Sequence, residues 1–168
     1  MSWFTVWMII INTTFWLVCC FGSAWVVHKL LPSSVYGKMG WFFKERSFEK
    51  RFYRLIYLAK WKDKLPEWGK VWNFEKNHLK QELSLEYVER FILETYRAEI
   101  GHIGMAVFGF ACILVNPRDS AQMAIISSII NVFVQIPFCL IQRFNRPRLV
   151  RLKTRLEKRS LQSGTELK

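Results

Sequence analysis

Three stretches of this 168-residue chain contain no Asp, Glu, Lys or Arg: residues 2–27, 100–117 and 120–142. Together they hold none of the 25 basic or 13 acidic residues. A water-soluble core in a chain this short has no room for three such blocks. About 20 consecutive apolar residues, by contrast, cross the hydrocarbon of a bilayer as one helix. The sequence therefore predicts an all-α integral membrane protein with about three transmembrane helices, over about 3–27, 100–116 and 120–142. A loop over 28–99 and a basic tail over 143–168 complete a single membrane-embedded unit spanning 1–168.

The first block is read as a retained anchor. It has no Lys/Arg n-region, and its apolar run exceeds the roughly 7–15 residues of a signal-peptide core. Cys19, Cys20, Cys112 and Cys139 all fall inside uncharged blocks without a CxxC spacing, and are read as small apolar residues.

The net charge of +12 has two readings. A nucleic-acid footprint needs a basic face interleaved with exposed aromatics. The charges instead divide by side: 15 Lys/Arg lie in 29–99 and nine in 143–168, while the 116–119 connection holds only Arg118. This is the positive-inside pattern. It places loop and tail in the cytosol, the N-terminus outside and the C-terminus inside, with membrane lipids rather than nucleic acid as the expected surroundings.

Within the loop, Phe48, Phe52, Leu55, Ile56 and Ala59 recur at helical spacing among Glu49, Lys50, Arg51, Arg54 and Lys60. This predicts one amphipathic helix from Phe48 to Lys60 in the headgroup plane, either flat or dipping into the bilayer. A second helix is expected from the N-cap Ser84, with Glu86 in its first turn and Leu83, Tyr87, Phe91, Thr95 and Ala98 along one side. No breaker separates it from the second membrane block, although Gly101 and Gly104 are expected to weaken or bend the junction. Asn116-Pro117-Arg118-Asp119 reads as a tight outer turn.

That short turn makes the second and third membrane helices antiparallel neighbours, so two polar clusters meet at their cytosolic ends. One is residues 94–102, with Glu94, Arg97, Glu99 and His102. The other is residues 142–148, with Gln142, Arg143, Asn145, Arg146 and Arg148. Helical geometry puts Thr95, Glu99 and His102 on one stripe. Ionisable groups at the edge of the hydrocarbon are costly and so are paired or functional. Position alone leaves both open: an ion-pair network with Arg143 or Arg146, or a reactive site.

In the second case, His102 accepts a hydroxyl proton while Glu99 orients its ring. The tail arginines suit a phosphate-bearing donor or a lipid headgroup. A third place is Trp61 with Asp63, just before Pro66. Glu75/His78 and Glu99/His102 have the Glu-x-x-His spacing of di-metal carboxylate sites, but Glu75/His78 sits in a Lys-rich loop and no metal is expected.

These clusters, in this order, resemble the glycosyl-4,4'-diaponeurosporenoate acyltransferase family of bacterial membrane proteins. The resemblance is carried by Phe48-Glu49-Lys50, then Lys60-Trp61-Lys62 with Asp63, Leu65 and Pro66. Glu94-Thr95, Arg97-Ala98-Glu99 and His102 follow, then Asn131, Pro137 and residues 142–149, over about 32–155 in all. Ile103 departs from the family's aromatic after the histidine, and Tyr96 replaces a residue that is often basic or polar. The resemblance implies fatty-acyl transfer to a sugar hydroxyl of a glycosylated C30 carotenoid or related glycolipid in the bacterial cell membrane. It implies acyl-CoA as co-substrate and no bound cofactor.

The expected site is then His102 as base with Glu99 in support. Arg143 and Arg146 would hold the donor phosphate or the developing negative charge, and Gln142 or Asn145 the oxyanion. Glu94, Arg97, Arg148, Trp61 and Asp63 would contribute to substrate binding. Two other readings compete: a non-catalytic assembly or lipid-binding protein, and a small membrane methyltransferase.

Overall fold

The computed structural model describes residues 2–65 and 84–165, with side chains through 162. Pro66, Leu83 and the Glu75/His78 pair lie outside the described residues. Those described are mostly helical, with no strand among them. Helix α1 (Trp3–Trp25) closes in a π-helical turn over Val26–Leu30. Short helices α2 (Ser33–Lys38), α3 (Gly40–Phe43), α4 (Glu49–Leu55) and α5 (Leu58–Trp61) follow. The long α6 (Leu85–Phe108) tightens into a 3-10 turn over Gly109–Ala111 before α7 (Cys112–Val115). After a 3-10 turn over Arg118–Ser120, α8 (Ala121–Thr165) runs 45 residues. Three helical stretches, Trp3–Leu30, Leu85–Val115 and Arg118–Gln162, are long and apolar enough to cross a membrane. The chain is an all-helical membrane protein, as its uncharged blocks require.

The helix ends follow local chemistry. Ser2 accepts from the amide of Thr5 at 3.2 Å at the start of α1, and Ser84 accepts from that of Tyr87 at 3.1 Å at the start of α6. Past α1, the amide of Leu31 reaches back to the carbonyl of Val26, and buried Tyr36 donates to the carbonyl of Val27, so groups left open by the widened last turn are satisfied.

Contacts group the chain into two compact units, Met1–Met39 with Arg97–Leu140 and Gly40–Tyr96 with Ile141–Lys168. In the first, α1 lays one stripe against α6 and α7. Asn12 exchanges two side-chain hydrogen bonds with Asn116, each 3.0 Å. Further along the stripe, Trp16 faces Gly109, the Cys19 thiol points to the Met105 carbonyl, and Ser23 and Val27 face Gly104 and Gly101. Helix α6 runs unbroken through Gly101 and Gly104, and the irregularity expected there falls at Gly109 instead. The i→i+4 hydrogen bonds persist because the helix is packed at those glycines. The opposite face of α1 is a run of exposed large apolar residues, among them Trp3, Trp7 and Phe21, as a lipid-facing surface requires.

In the second unit the single amphipathic helix expected from Phe48 to Lys60 is corrected. It is two helices, α4 and α5, broken at Tyr57, whose φ of 51° is left-handed. The buried face also differs from the periodic apolar one. Phe48 and Leu55 are 66% and 75% exposed, whereas Glu49, Tyr53 and Leu58 are buried. The apolar stripe points outward, as on a surface meant to meet lipid, and the polar side meets protein. On α6, the buried line is Val88, Phe91, Thr95 and Glu99, and Phe91 packs with Leu149 of α8 and with Tyr87 and Ile92.

Candidate active site

Within the first unit, α6 and α8 lie antiparallel. The thiol of Cys139 points to the carbonyl of Glu99, and Ser128 donates to that of Gly109 at 3.0 Å. Between these levels a chain of three polar side chains crosses from helix to helix. His102 Nδ1 lies 2.8 Å from Gln135 Oε1, Gln135 Nε2 donates to Asn131 Oδ1 at 2.9 Å, and Asn131 Nδ2 donates to the Met105 carbonyl at 2.8 Å.

The last link sets the direction of every other. A backbone carbonyl can only accept, so Asn131 must present its NH2 to Met105 and its oxygen to Gln135. Gln135 must in turn present its NH2 to Asn131 and its oxygen to His102. The ring therefore carries a proton on Nδ1, and in its neutral form the lone pair sits on Nε2. Phe138 stacks on the ring, with centroids 4.8 Å apart and planes 14° apart, so ring orientation is held along with the tautomer. A neutral histidine locked in this form is set up to take a proton at one defined atom.

Glu99 sits one turn before His102 on α6 and is 1% exposed, and Thr95, a turn further back, is as deeply buried. The stripe read from the sequence exists. The partner placed on Nδ1 is Gln135, a residue the sequence reading did not single out.

The second unit holds Arg143, Arg146 and Arg148. Arg146 Nε donates to the Thr95 hydroxyl and Nη2 to the Thr95 carbonyl, both at 3.0 Å. Its guanidinium lies over the rings of Phe43 and Tyr96, at 4.7 and 4.2 Å from their centroids. Within the second unit, Thr95 and Arg146 therefore meet. At 3% exposure, however, Arg146 has two of its three nitrogens committed to protein.

Arg143 donates to the carbonyl of Phe42 at 2.9 Å and pairs with Glu49 at 3.4 Å; the other oxygen of Glu49 accepts from Tyr53 at 3.1 Å. Arg148 is exposed and lies over Phe144, 3.4 Å from its centroid. Glu94, Arg97, Gln142 and Asn145 are half-buried. The Trp61 indole donates to the carbonyl of Ile56, and Asp63 pairs with its neighbour Lys62.

Three features were given no role in the site by the sequence reading. Gln135 and Asn131 form an i, i+4 amide pair inside an uncharged block, and Ser128 extends the same stripe. Polar residues at helical spacing on a membrane helix were the available signal. Glu49 looked like one charge among many until its burial beside Arg143 became visible.

An all-helical membrane protein with a tautomer-locked histidine one helical turn from a buried carboxylate has the makings of a membrane group-transfer enzyme. Comparison with known proteins gives that class its particular member: residues 38–155 match the family model for glycosyl-4,4'-diaponeurosporenoate acyltransferase, and the chain belongs to that family of acyltransferases. Curated relatives bearing the same name come from Staphylococcus aureus. The MRSA252 protein is 28% identical over 134 residues, the N315 protein 27% over 135 and the USA300 protein 29% over 135. In each case the alignment covers 77% of this chain and 78% of the relative. No solved structure matches the chain.

Proposed function

We propose that this acyltransferase moves a fatty acyl group from a thioester donor such as acyl-CoA onto a sugar hydroxyl of a glycosylated C30 carotenoid or related glycolipid. The reaction takes place at the cytosolic face of a bacterial cell membrane, with the N-terminus outside and the C-terminus inside. His102 Nε2 takes the hydroxyl proton as the sugar oxygen attacks the acyl carbonyl. An ester C–O bond forms, the thioester C–S bond breaks, and the proton passes to the departing thiolate. No covalent acyl-enzyme and no bound cofactor are involved. Glu99 stabilises the transient imidazolium.

The observation that carries this reading is the polar chain that leaves the basic lone pair of His102 on Nε2. Arg143 and Arg146, whose contacts tie them to Glu49 and Thr95, serve best as a charged scaffold within the second unit. Lipid mass spectrometry tests the reading. Membranes with the wild-type chain form the acylated glycolipid from labelled acyl-CoA and transfer nothing from labelled S-adenosylmethionine. Near-wild-type acyl transfer by His102→Ala would overturn the assignment.

A further inference from the structure

The second unit contains a cavity of about 660 Å³, a size that accommodates a whole small-molecule headgroup. Among the described residues, five cationic side chains line it: Lys50, Arg54, Lys60, Arg148 and Arg151. Against them, among the described residues, stands one carboxylate, Glu45, which lies 3.9 Å from Lys50 and 3.8 Å from Arg151. Two of the other cations are held by rings: Lys60 lies 4.8 Å from the centroid of Tyr57 and Arg148 3.4 Å from that of Phe144. A π face positions a cation without neutralising it, so the cavity keeps a large positive excess.

The backbone contributes too. Arg54 and Lys60 are six residues apart, about 120° apart around an uninterrupted helix. The left-handed Tyr57 between them breaks that helix, and both side chains wall one cavity. A non-glycine residue in this conformation is strained, and strain of this kind gathers at ligand sites.

We propose that this cavity binds a ligand carrying at least two clustered phosphates. A single carboxylate would leave most of the positive charge uncompensated. Two phosphates bring three or four negative charges and enough acceptor oxygens for both guanidinium forks and ammonium groups. Such a group has two sources, a soluble nucleotide-type bisphosphate or the headgroup of a diphosphorylated lipid. The site is assigned from the cavity alone, without the acyl-transfer chemistry proposed for His102.

The test is calorimetric titration of the detergent-purified full chain with inorganic pyrophosphate. Wild type binds saturably. Arg54→Gln with Lys60→Gln weakens binding by about tenfold or more, since each removes a charge-assisted contact. Lys158→Gln, an exposed change outside the cavity, alters it by less than about twofold. His102→Ala, which ends acyl transfer in the reading above, leaves pyrophosphate affinity unchanged, so the two ideas fail separately. Lys60→Gln alone repeats the measurement if the double variant does not purify. Displacement by 3',5'-ADP identifies the soluble source, and displacement by cardiolipin the lipid one. Absence of saturable binding, equal weakening by Lys158→Gln, or displacement by neither competitor overturns the proposal.

Discussion

A methyl group built on Gly109 would stand 2.5 Å from Nδ2 of Asn131, inside van der Waals contact. Gly109 is thus the opening through which the Asn131 amide reaches the Met105 carbonyl, and the 3.2 Å approach of the Trp16 ring closes the other way out. Gly109→Ala pushes Asn131 aside and breaks the chain that ends on His102. Acyl transfer should fall by about 10- to 100-fold through misplacement of the base, while the protein still accumulates in membranes. Quantitative blotting alongside the transfer assay checks both halves.

The proton assignment on His102 can be seen directly. Nitrogen-15 spectra of labelled protein in micelles, assigned by difference from His102→Gln, should show a neutral ring protonated at Nδ1. In Gln135→Leu the acceptor is gone and the tautomers mix. A wild-type ring protonated at Nε2 would reverse the order of donors deduced from Met105.

Thr95 and Arg146 make a structural prediction. Thr95→Val removes the acceptor of Nε but keeps the carbonyl that holds Nη2, and should cost about 1.5–3 kcal/mol of unfolding free energy. Arg146→Lys should cost at least as much. An ammonium group cannot bond both Thr95 oxygens while lying over the rings of Phe43 and Tyr96. Reversible unfolding in mixed micelles gives the comparison, and an unchanged midpoint for Arg146→Lys would remove Arg146 from the scaffold.

Glu49 and Arg143 form a mostly buried ion pair, so breaking one side leaves a charge in a poor solvent. Glu49→Gln should destabilise by about 3 kcal/mol. The double variant with Arg143→Gln should then be less destabilised than the two single losses added together. Additive losses would mean that the two side chains act separately.

The reciprocal Asn12 and Asn116 amides make a smaller contribution. Membrane hydrogen bonds average about 0.6 kcal/mol in coupling, and a doubly bonded pair should approach the upper end, about 1.7 kcal/mol. A double-mutant cycle with Asn12→Leu and Asn116→Leu measures it.

Much of this architecture is written in the positions of the charges. Blocks without Asp, Glu, Lys or Arg mark the apolar part of each long helix, because charge is what the bilayer rejects most strongly. The stripe of Thr95, Glu99 and His102 follows from helical spacing alone. The break at Tyr57 does not, since tyrosine has no local preference for a left-handed backbone and only its surroundings hold it there. The face that α4 buries was also illegible. Periodicity separates an apolar side from a polar one, but which side meets protein depends on whether the other meets water or lipid. Gln135 was missed for a related reason: an amide in an uncharged block looks like filler until its partner on another helix is known.

The Met105 carbonyl has a consequence for how this site can change over generations. The atom that decides which histidine nitrogen holds the proton belongs to the main chain, so no codon at position 105 encodes it. A saturation scan should find position 105 permissive to other helix-compatible apolar residues, and positions 109, 131 and 135 intolerant. The instruction is inherited through the path of the helix, and its most important word is invisible to substitution.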